Sequence, residues 1–350
     1  MSLTFAIPTW NRADQLRVCV ESIAQQHIEG MEIIISDHGS DDHTATVCLE
    51  LMQKYPFITT AHLARGEKPD YAQAFQYLFT LPQTEWTWTF GDDDVLLPGA
   101  VEHIQRILKR DELHFVHFTE KKRSAGTGHL ATGPLFNMCN VYGFIDMTGF
   151  ITGNLIRTKH LRAAANLPSW PIYAKSAFAQ SLSILEVCKD MQAGLLDWPL
   201  VDSQDAEQNE ETQKRWTHFD IPTRYFHIID GLLDMKARGV ITDVDPPFFR
   251  YLSYFLWDRF CQNIVSSFST TQGFVVTEML DDLIQKTLAL TDFLKENNRR
   301  RYREEILEVI DSLRNVEFCT KMALDAQDKM NFQANSHGTE KFPFTYIKTV

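Results

Sequence analysis

Short apolar runs alternate with amphipathic stretches along the first part of the chain, and polar breakers separate them. Leu3-Thr4-Phe5-Ala6-Ile7 is a strand-length run that stops at Pro8-Thr9-Trp10-Asn11-Arg12. Residues 14–26 carry Leu16, Val20 and Ile23 at the spacing of one helix face. A second run, Met31-Glu32-Ile33-Ile34-Ile35, opens into the polar turn Ser36-Asp37-His38-Gly39-Ser40-Asp41-Asp42. Residues 44–55 return to helical spacing through Val47, Cys48, Leu51 and Met52. A short strand over 58–63 and a helix over 71–81 lead to the run Trp86-Thr87-Trp88-Thr89-Phe90, which ends in Gly91-Asp92-Asp93-Asp94. Strands alternating with helices on short connections predict a mostly parallel sheet covered on both faces. Ligands of such sheets bind beyond the carboxyl ends of the strands. Residues 8–12, 37–42 and 92–94 all stand at those ends and are expected to share one crevice.

Further along, the pattern changes. Residues 113–119 predict a strand, and residues 120–134, rich in Gly, Lys and Thr, an exposed loop. A run of small residues over 148–157 predicts another strand, and a helix is expected over 174–193. Trp198-Pro199-Leu200-Val201 reads as a late strand flanked by Asp197 and Asp202. Residues 203–213 are polar and acidic, which fits either a mobile lid or a linker. From 221 to about 328 the apolar spacing is helical, through Ile229, Leu232, Leu233 and Met235 to a stop at Gly239. The expected organisation is a binding and catalytic unit over 1–202, a lid or linker over 203–220, a helical region over 221–330 and a loose tail over 331–350.

Composition narrows the function classes. A formal net charge of -12 argues against a nucleic-acid partner, which calls for a basic channel or patch. The 6 Cys form no CxxC pair, which argues against structural zinc and fits a reducing compartment. No stretch approaches the ~20 apolar residues of a membrane-spanning helix, and no basic-then-apolar leader opens the sequence. A cytoplasmic location is therefore expected. The cationic stretch Arg299-Arg300-Arg301-Tyr302-Arg303 reads as a solvated helix start or as a peripheral contact with anionic lipid at the inner face of the membrane. The helical region is also a surface through which a homo-oligomer can form.

The acidic triplet carries the chemistry. Adjacent carboxylates at the end of a buried strand repel one another and lose hydration, which calls for a nearby cation. Oxygen ligands suit Mg²⁺ or Mn²⁺, with a diphosphate as the usual co-ligand. An acidic turn is the plainer reading of the triplet taken alone. Other positions are equally two-sided. Trp10 stacks on a base or packs under the sheet. Arg65 and Lys68 meet phosphate at a helix start or belong to a solvated loop. His218 is a metal ligand or a structural histidine.

The order of these motifs resembles the family 2 glycosyltransferases of GT-A fold. The matching residues are Pro8-Thr9-Trp10-Asn11, then Asp37-His38-Gly39-Ser40-Asp41-Asp42, then Asp92-Asp93-Asp94-Val95-Leu96-Leu97-Pro98-Gly99. The resemblance covers residues 1 to about 115 and is less specific from there to about 202. It implies a Rossmann-like α/β fold with a C-terminal helical region. It also implies a nucleoside-diphosphate sugar as donor, a UDP-sugar by preference, with Asp37 accepting the imide N–H of uracil. Residues 8–12, Gly39, Arg65, Lys68, Asp92 and Asp93 then contact the donor, while Asp92, Asp94 and His218 hold Mn²⁺ or Mg²⁺. Aligning back from Pro98-Gly99 puts Gly91 where the family usually has its first Asp.

The implied reaction moves a sugar to a hydroxyl of a saccharide, a lipid-linked saccharide or a glycolipid, in surface polysaccharide synthesis. Inverting members open a helix in the acceptor half with a Glu-Asp pair that supplies the base. Here the corresponding segment is Lys175-Ser176-Ala177-Phe178-Ala179-Gln180, as in the abequosyltransferase-like subset. Asp202, Asp197 and Asp146 are the candidates to replace the missing base, with Asp202 first because it is expected to end a strand beside the lid. Ordinary turn carboxylates remain the alternative for each. A second class of function fits the same residues. It is a GT-A-derived nucleotide-binding or scaffolding protein that has lost its base and uses the helical region as a partner surface.

Overall fold

Strand β1 (Leu3–Thr9) has almost every residue buried, as a strand covered on both faces requires. It lies parallel to β2 (Met31–Asp37), and the register sets Pro8 opposite Ser36 and Thr9 opposite Asp37. Helix α1 (Ala13–Ala24) connects them, burying Leu16, Cys19, Val20 and Ile23. Helix α2 (Thr44–Lys54) leads to β3 (Ile58–His62), and α3 (Tyr71–Leu78) leads to β4 (Trp86–Thr89). The computed structural model describes residues 2–62, 71–119, 121, 124–203 and 220–249, with scattered residues between 285 and 304. Arg65, Lys68, His218, the expected lid or linker between Ser203 and Asp220, the cationic stretch 299–303 apart from Arg299 and Arg303, and the tail lie outside the described residues.

After β4 the chain makes a short strand β5 (Asp94–Leu96), helix α4 (Ala100–Leu108), β6 (Phe115–Phe118) and β7 (Leu130–Pro134). Helices α5 (Leu135–Tyr142) and α6 (Phe144–Thr148) and a 3-10 turn (Ile151–Gly153) precede β8 (Asn154–Arg157). Helices α7 (Thr158–Ala165), α8 (Trp170–Tyr173) and α9 (Ala179–Cys188) follow, then β9 (Gln192–Leu196), β10 (Val201–Ser203) and α10 (Asp220–Ala237). The main sheet has 8 strands in the order β3-β2-β1-β4-β8-β6-β9-β7. Only β8 and β7 run antiparallel to their neighbours in it. β10 and β5 form a separate antiparallel pair above the carboxyl ends.

Alternation of side chains along each strand divides the core into two layers. Leu3, Phe5 and Ile7 of β1 join α1, α2 and α4 on one face, while Ala6 joins α3, α7 and α9 on the other. Val116 and Leu155 belong to the first layer, and their neighbours Phe115 and Ile156 to the second. Helix α10 sends Ile228, Ile229, Leu232 and Met235 into that second layer, beside Leu182 and Phe144.

The structure differs from expectation at several boundaries. The helix expected over 174–193 is shorter, because Gln192–Leu196 is strand β9 inserted beside β6. The exposed loop expected over 120–134 ends in β7, the edge strand of the sheet. The late strand begins at Val201 and not at Trp198, since Pro199 has no N–H for a ladder. Asp202 therefore lies within β10 and does not terminate it.

Candidate active site

The carboxyl ends of β1, β2 and β4 meet through side-chain hydrogen bonds. Asn11 leaves β1 with a positive φ of 52°, a conformation that Asn tolerates better than most residues. Its backbone N–H donates to Ser40 Oγ at 2.9 Å, and its side-chain oxygen accepts from the Asp41 N–H at 2.9 Å. The β2 turn is closed by Asp37, whose Oδ1 accepts from Ser40 N at 3.0 Å and Ser40 Oγ at 2.6 Å. Gly39 supplies the φ of +76° that this turn demands. Asp42 Oδ1 accepts from the Thr44 N–H at 2.9 Å and so caps α2.

Asp37 is only 3% exposed, and its second oxygen faces His62 Nδ1 at 3.3 Å. A carboxylate has about four acceptor sites, two on each oxygen, so Oδ1 is filled by its two Ser40 donors and Oδ2 keeps capacity for another donor. His38 next to it is pushed down to about 4 by burial, so its ring is neutral near pH 7. The half-buried Trp10 and Pro8 border the same end of the sheet.

Asp92 and Asp94 are 7% and 5% exposed. Arg12, positioned by the Asn11 turn at the start of α1, places Nη1 3.0 Å from Asp92 Oδ1 and 2.5 Å from Asp93 Oδ2. Burial holds the Asp92 carboxyl above the ordinary range, against the pull of Arg12. The Arg12 guanidinium is half-buried, and the charges and hydrogen bonds of Asp92 and Asp93 outweigh the desolvation and raise it above its usual value. Asp94 accepts from the Thr152 hydroxyl, and Thr152 Oγ1 accepts from the Gly91 N–H at 2.9 Å. Beneath the turn, the Cys19 thiol donates to the Gly91 carbonyl at 3.3 Å. Burial, then the charges of Asp92 and Asp94, push that thiol far above its usual value.

The residue at 91 has a steric reason to be glycine. A Cβ there would meet Asp94 Oδ2 at 2.9 Å, Asp93 Oδ1 at 3.1 Å and Thr152 Oγ1 at 3.1 Å. Side-chain volume at this point would push into the carboxylates. Among the described residues no three His, Cys, Asp or Glu side chains converge as a ready metal cage.

The comparisons with known proteins agree with this geometry. The sequence model described as "Glycosyl transferase family 2" matches residues 4–179. The chain belongs to glycosyl transferase family 2. Over 110 residues it is 26% identical to the glycosyltransferase GlyG of Streptococcus pneumoniae serotype 4 (strain ATCC BAA-334 / TIGR4), covering 31% of this chain and 36% of GlyG. Over 64 residues it is 34% identical to YibD, an uncharacterized glycosyltransferase of Escherichia coli strain K12, covering 18% of this chain and 19% of YibD. Both matches span well under two thirds of the relative's own length. In fold, the chain is similar to S. aureus TarS residues 1–349, with a TM-score of 0.52 at 12% identity over 98% of this chain and 95% of that one. The same protein in complex with UDP-GlcNAc gives a TM-score of 0.53 at 13% identity over the same shares. The likeness shows a GT-A fold.

Within this family 2 chain, the three carboxylates expected to replace the base are far from equivalent. Asp197 accepts from Ser124 Oγ at 2.8 Å, Ala125 N at 2.9 Å and Thr127 Oγ1 at 2.6 Å. The hydroxyls of Thr127 and Ser124 hold it down at about 2, so it is a loop clamp and a poor proton acceptor. Asp202 pairs in register with Val95, and its neighbour Ser203 pairs with Asp94. Facing residues of an antiparallel pair share a side, so Asp202 points away from the side of Asp94. It forms an ion pair at 2.7 Å with Lys121. The expectation that Asp202 ends a strand is revised, since it lies inside β10. Asp146 sits in the first turn of α6, with Oδ2 2.3 Å from where a Cβ of Gly143 would stand. Helix α9 opens with no acidic residue in its first turn.

Sequence reasoning assigned no role to Thr152, which lies in the small-residue run over 148–157. A hydroxyl two residues before a β8 asparagine gives no signal of its own. Its role exists only because β8 lies antiparallel beside β4.

Proposed function

We propose that this chain is a glycosyltransferase that moves a sugar from a nucleoside-diphosphate sugar to a hydroxyl of a saccharide or lipid-linked acceptor. The observation that carries the reading is the convergence of the Asp37 turn, the Asn11–Arg12 turn and the buried Asp92–Asp94 turn at one end of one sheet. Asp37 accepts from the base, a role that its spare acceptor capacity supports. A UDP-sugar is the first donor to test, since the similarly folded TarS has been crystallised with UDP-GlcNAc.

A divalent cation, Mn²⁺ or Mg²⁺, fits the buried end of this site. The donors are carboxylate oxygens, and Asp92 and Asp93 already hold one cation, the Arg12 guanidinium. In this reading Asp94 and Asp92 hold the metal, which supplies Lewis-acid neutralisation of the diphosphate as the glycosidic bond breaks. Thr152 orients Asp94 by donating to it, and Arg12 supplies positive charge to the same end. Synthesis of surface polysaccharide is the process that such an acceptor implies.

A second reading is favoured by the bare first turn of α9 and the engaged states of Asp197 and Asp202. It is a binding or scaffolding protein that keeps the nucleotide pocket without transfer. Incubation with UDP-, GDP-, CDP- and dTDP-sugars and Mn²⁺, scoring slow donor hydrolysis, separates the two. Release of nucleoside diphosphate from one donor supports the transferase. Saturable donor binding with no turnover over days supports the binding protein.

A further inference from the structure

Arg12 is placed unusually for a residue of a cation site, because it is itself a cation lying on two of the acids. One nitrogen, Nη1, spans Asp92 Oδ1 at 3.0 Å and Asp93 Oδ2 at 2.5 Å. This is a bridge through a single nitrogen, one contact to each carboxylate, and not the two-pronged fork that makes Arg–carboxylate pairs hard to exchange. The Arg12 side chain keeps 23% of its exposure, against 9% for Asp92. The carboxylate is thus fixed in the protein while the guanidinium has an open path to solvent. Its anchor is the chain start of α1, next to the Asn11 turn, so a change of rotamer swings it within the crevice without moving a strand.

We propose that Arg12 is a resident counter-ion of the cation site, exchanged from Asp92 and Asp93 onto the donor's diphosphate when metal and nucleotide bind together. The inference rests on the metal-dependent reading given above. A guanidinium on Asp92 and Asp93 and a dication held by Asp92 and Asp94 share one carboxylate and repel. Metal entry therefore expels Arg12 from the acids. Without nucleotide it goes to water and leaves a good partner behind. With nucleotide it meets the diphosphate, whose geometry matches the guanidinium fork. The exchange makes cation and nucleoside diphosphate bind cooperatively, and by linkage each tightens the other by the same factor. It also keeps the buried Asp92 and its half-buried neighbour Asp93 compensated at rest, where a buried acid without a counter-charge would be costly.

The test is Mn²⁺ binding followed by the electron paramagnetic resonance signal of the free ion, with and without UDP, GDP, CDP and dTDP. Wild type, Arg12→Met and Arg12→Lys are compared, with thermal unfolding of each as a check on folding. Removal of the resident charge is expected to raise the affinity for Mn²⁺ alone by about fivefold or more. The factor by which the preferred nucleoside diphosphate tightens Mn²⁺ should fall by a similar amount. Arg12→Lys, with a charge but no fork, should fall between the two. If Arg12→Met binds Mn²⁺ alone no tighter than wild type, or keeps the full coupling factor, the exchange is overturned while the metal reading stands. If wild type binds no Mn²⁺ even with every nucleotide, the metal reading fails and takes the proposal with it.

Discussion

At the scale of single residues, Asp94 is the group on which the cation reading depends most. It is 5% exposed and oriented by Thr152, whereas Asp93 reaches toward Arg12 near the surface. Asp94→Asn keeps the shape and removes the charge, so Mn²⁺-dependent donor affinity should fall tenfold or more, about 1.4 kcal/mol. Asp93→Asn should lose less, and calorimetric titration of both variants with donor and Mn²⁺ decides it. Equal losses would mean that the two acids share the role. Asp37→Ala makes a separate statement about the base. If Asp37 contacts the nucleobase as proposed, the variant should weaken donor and free nucleoside diphosphate by similar factors in the same titration. A loss confined to the sugar donor would place Asp37 against the sugar.

At the scale of elements, the attachment of α10 rests on more than its apolar stripe. Arg238, just past its end, donates to Glu186 of α9 through Nη1 at 2.6 Å and Nη2 at 2.9 Å, and to Tyr173 of α8 at 2.9 Å. Ser169 adds a bond to Glu186 at 2.7 Å. Burial alone would raise the Glu186 carboxyl, but the hydrogen bonds from Arg238, Tyr173 and Ser169 outweigh it and hold it below the ordinary range. The sign follows: this contribution is fully present above the usual glutamate value and is lost as pH falls through the lowered one. Arg238→Ala should therefore destabilise the protein by about 1–2 kcal/mol at pH 7, reduced from a buried pair because Arg238 is 38% exposed. The difference between wild type and variant in thermal unfolding should shrink below about pH 4. A difference independent of pH would show that packing of the arginine stem, and not the ion pair, holds the helix.

At the scale of the whole molecule, the orientation of Asp202 depends on how β10 pairs with β5. The β5–β10 pair sets Ser203 on the side of Asp94 and Asp202 on the opposite side. Asp202→Asn should keep sugar transfer close to the wild-type rate with whichever donor the hydrolysis panel selects, because a peripheral ion pair with Lys121 is what is lost. A loss of ~10²–10⁴-fold with donor affinity retained would restore Asp202 as the base and refute the facing argument. No helix among the described residues is long and apolar enough to cross a membrane.

The β-α alternation of the N-terminal half was legible because its strands are buried on both faces and its helices on one, so the hydrophobic period itself differs between them. The three motif ends could be placed together for the same reason, since parallel strands present their carboxyl ends on one side. The second half was less legible. Strand β9, Gln192–Leu196, contains Gly194, whose Cβ would meet Leu130 of β7 at 2.9 Å, a close approach between strands that helical spacing over 174–193 does not show. Likewise β7 ends in Gly133-Pro134, which an edge strand tolerates and a sequence reading takes for a loop. Residue types at 8–12, 37–42 and 91–94 determined which chemistry this protein can carry. Only the tertiary structure decided how it is held: Arg12 on Asp92 and Asp93, Thr152 on Asp94, and Asp202 on the far side of its strand. The Arg12 and Thr152 contacts join positions 58 to 81 residues apart, and no local periodicity encodes a pairing across that distance.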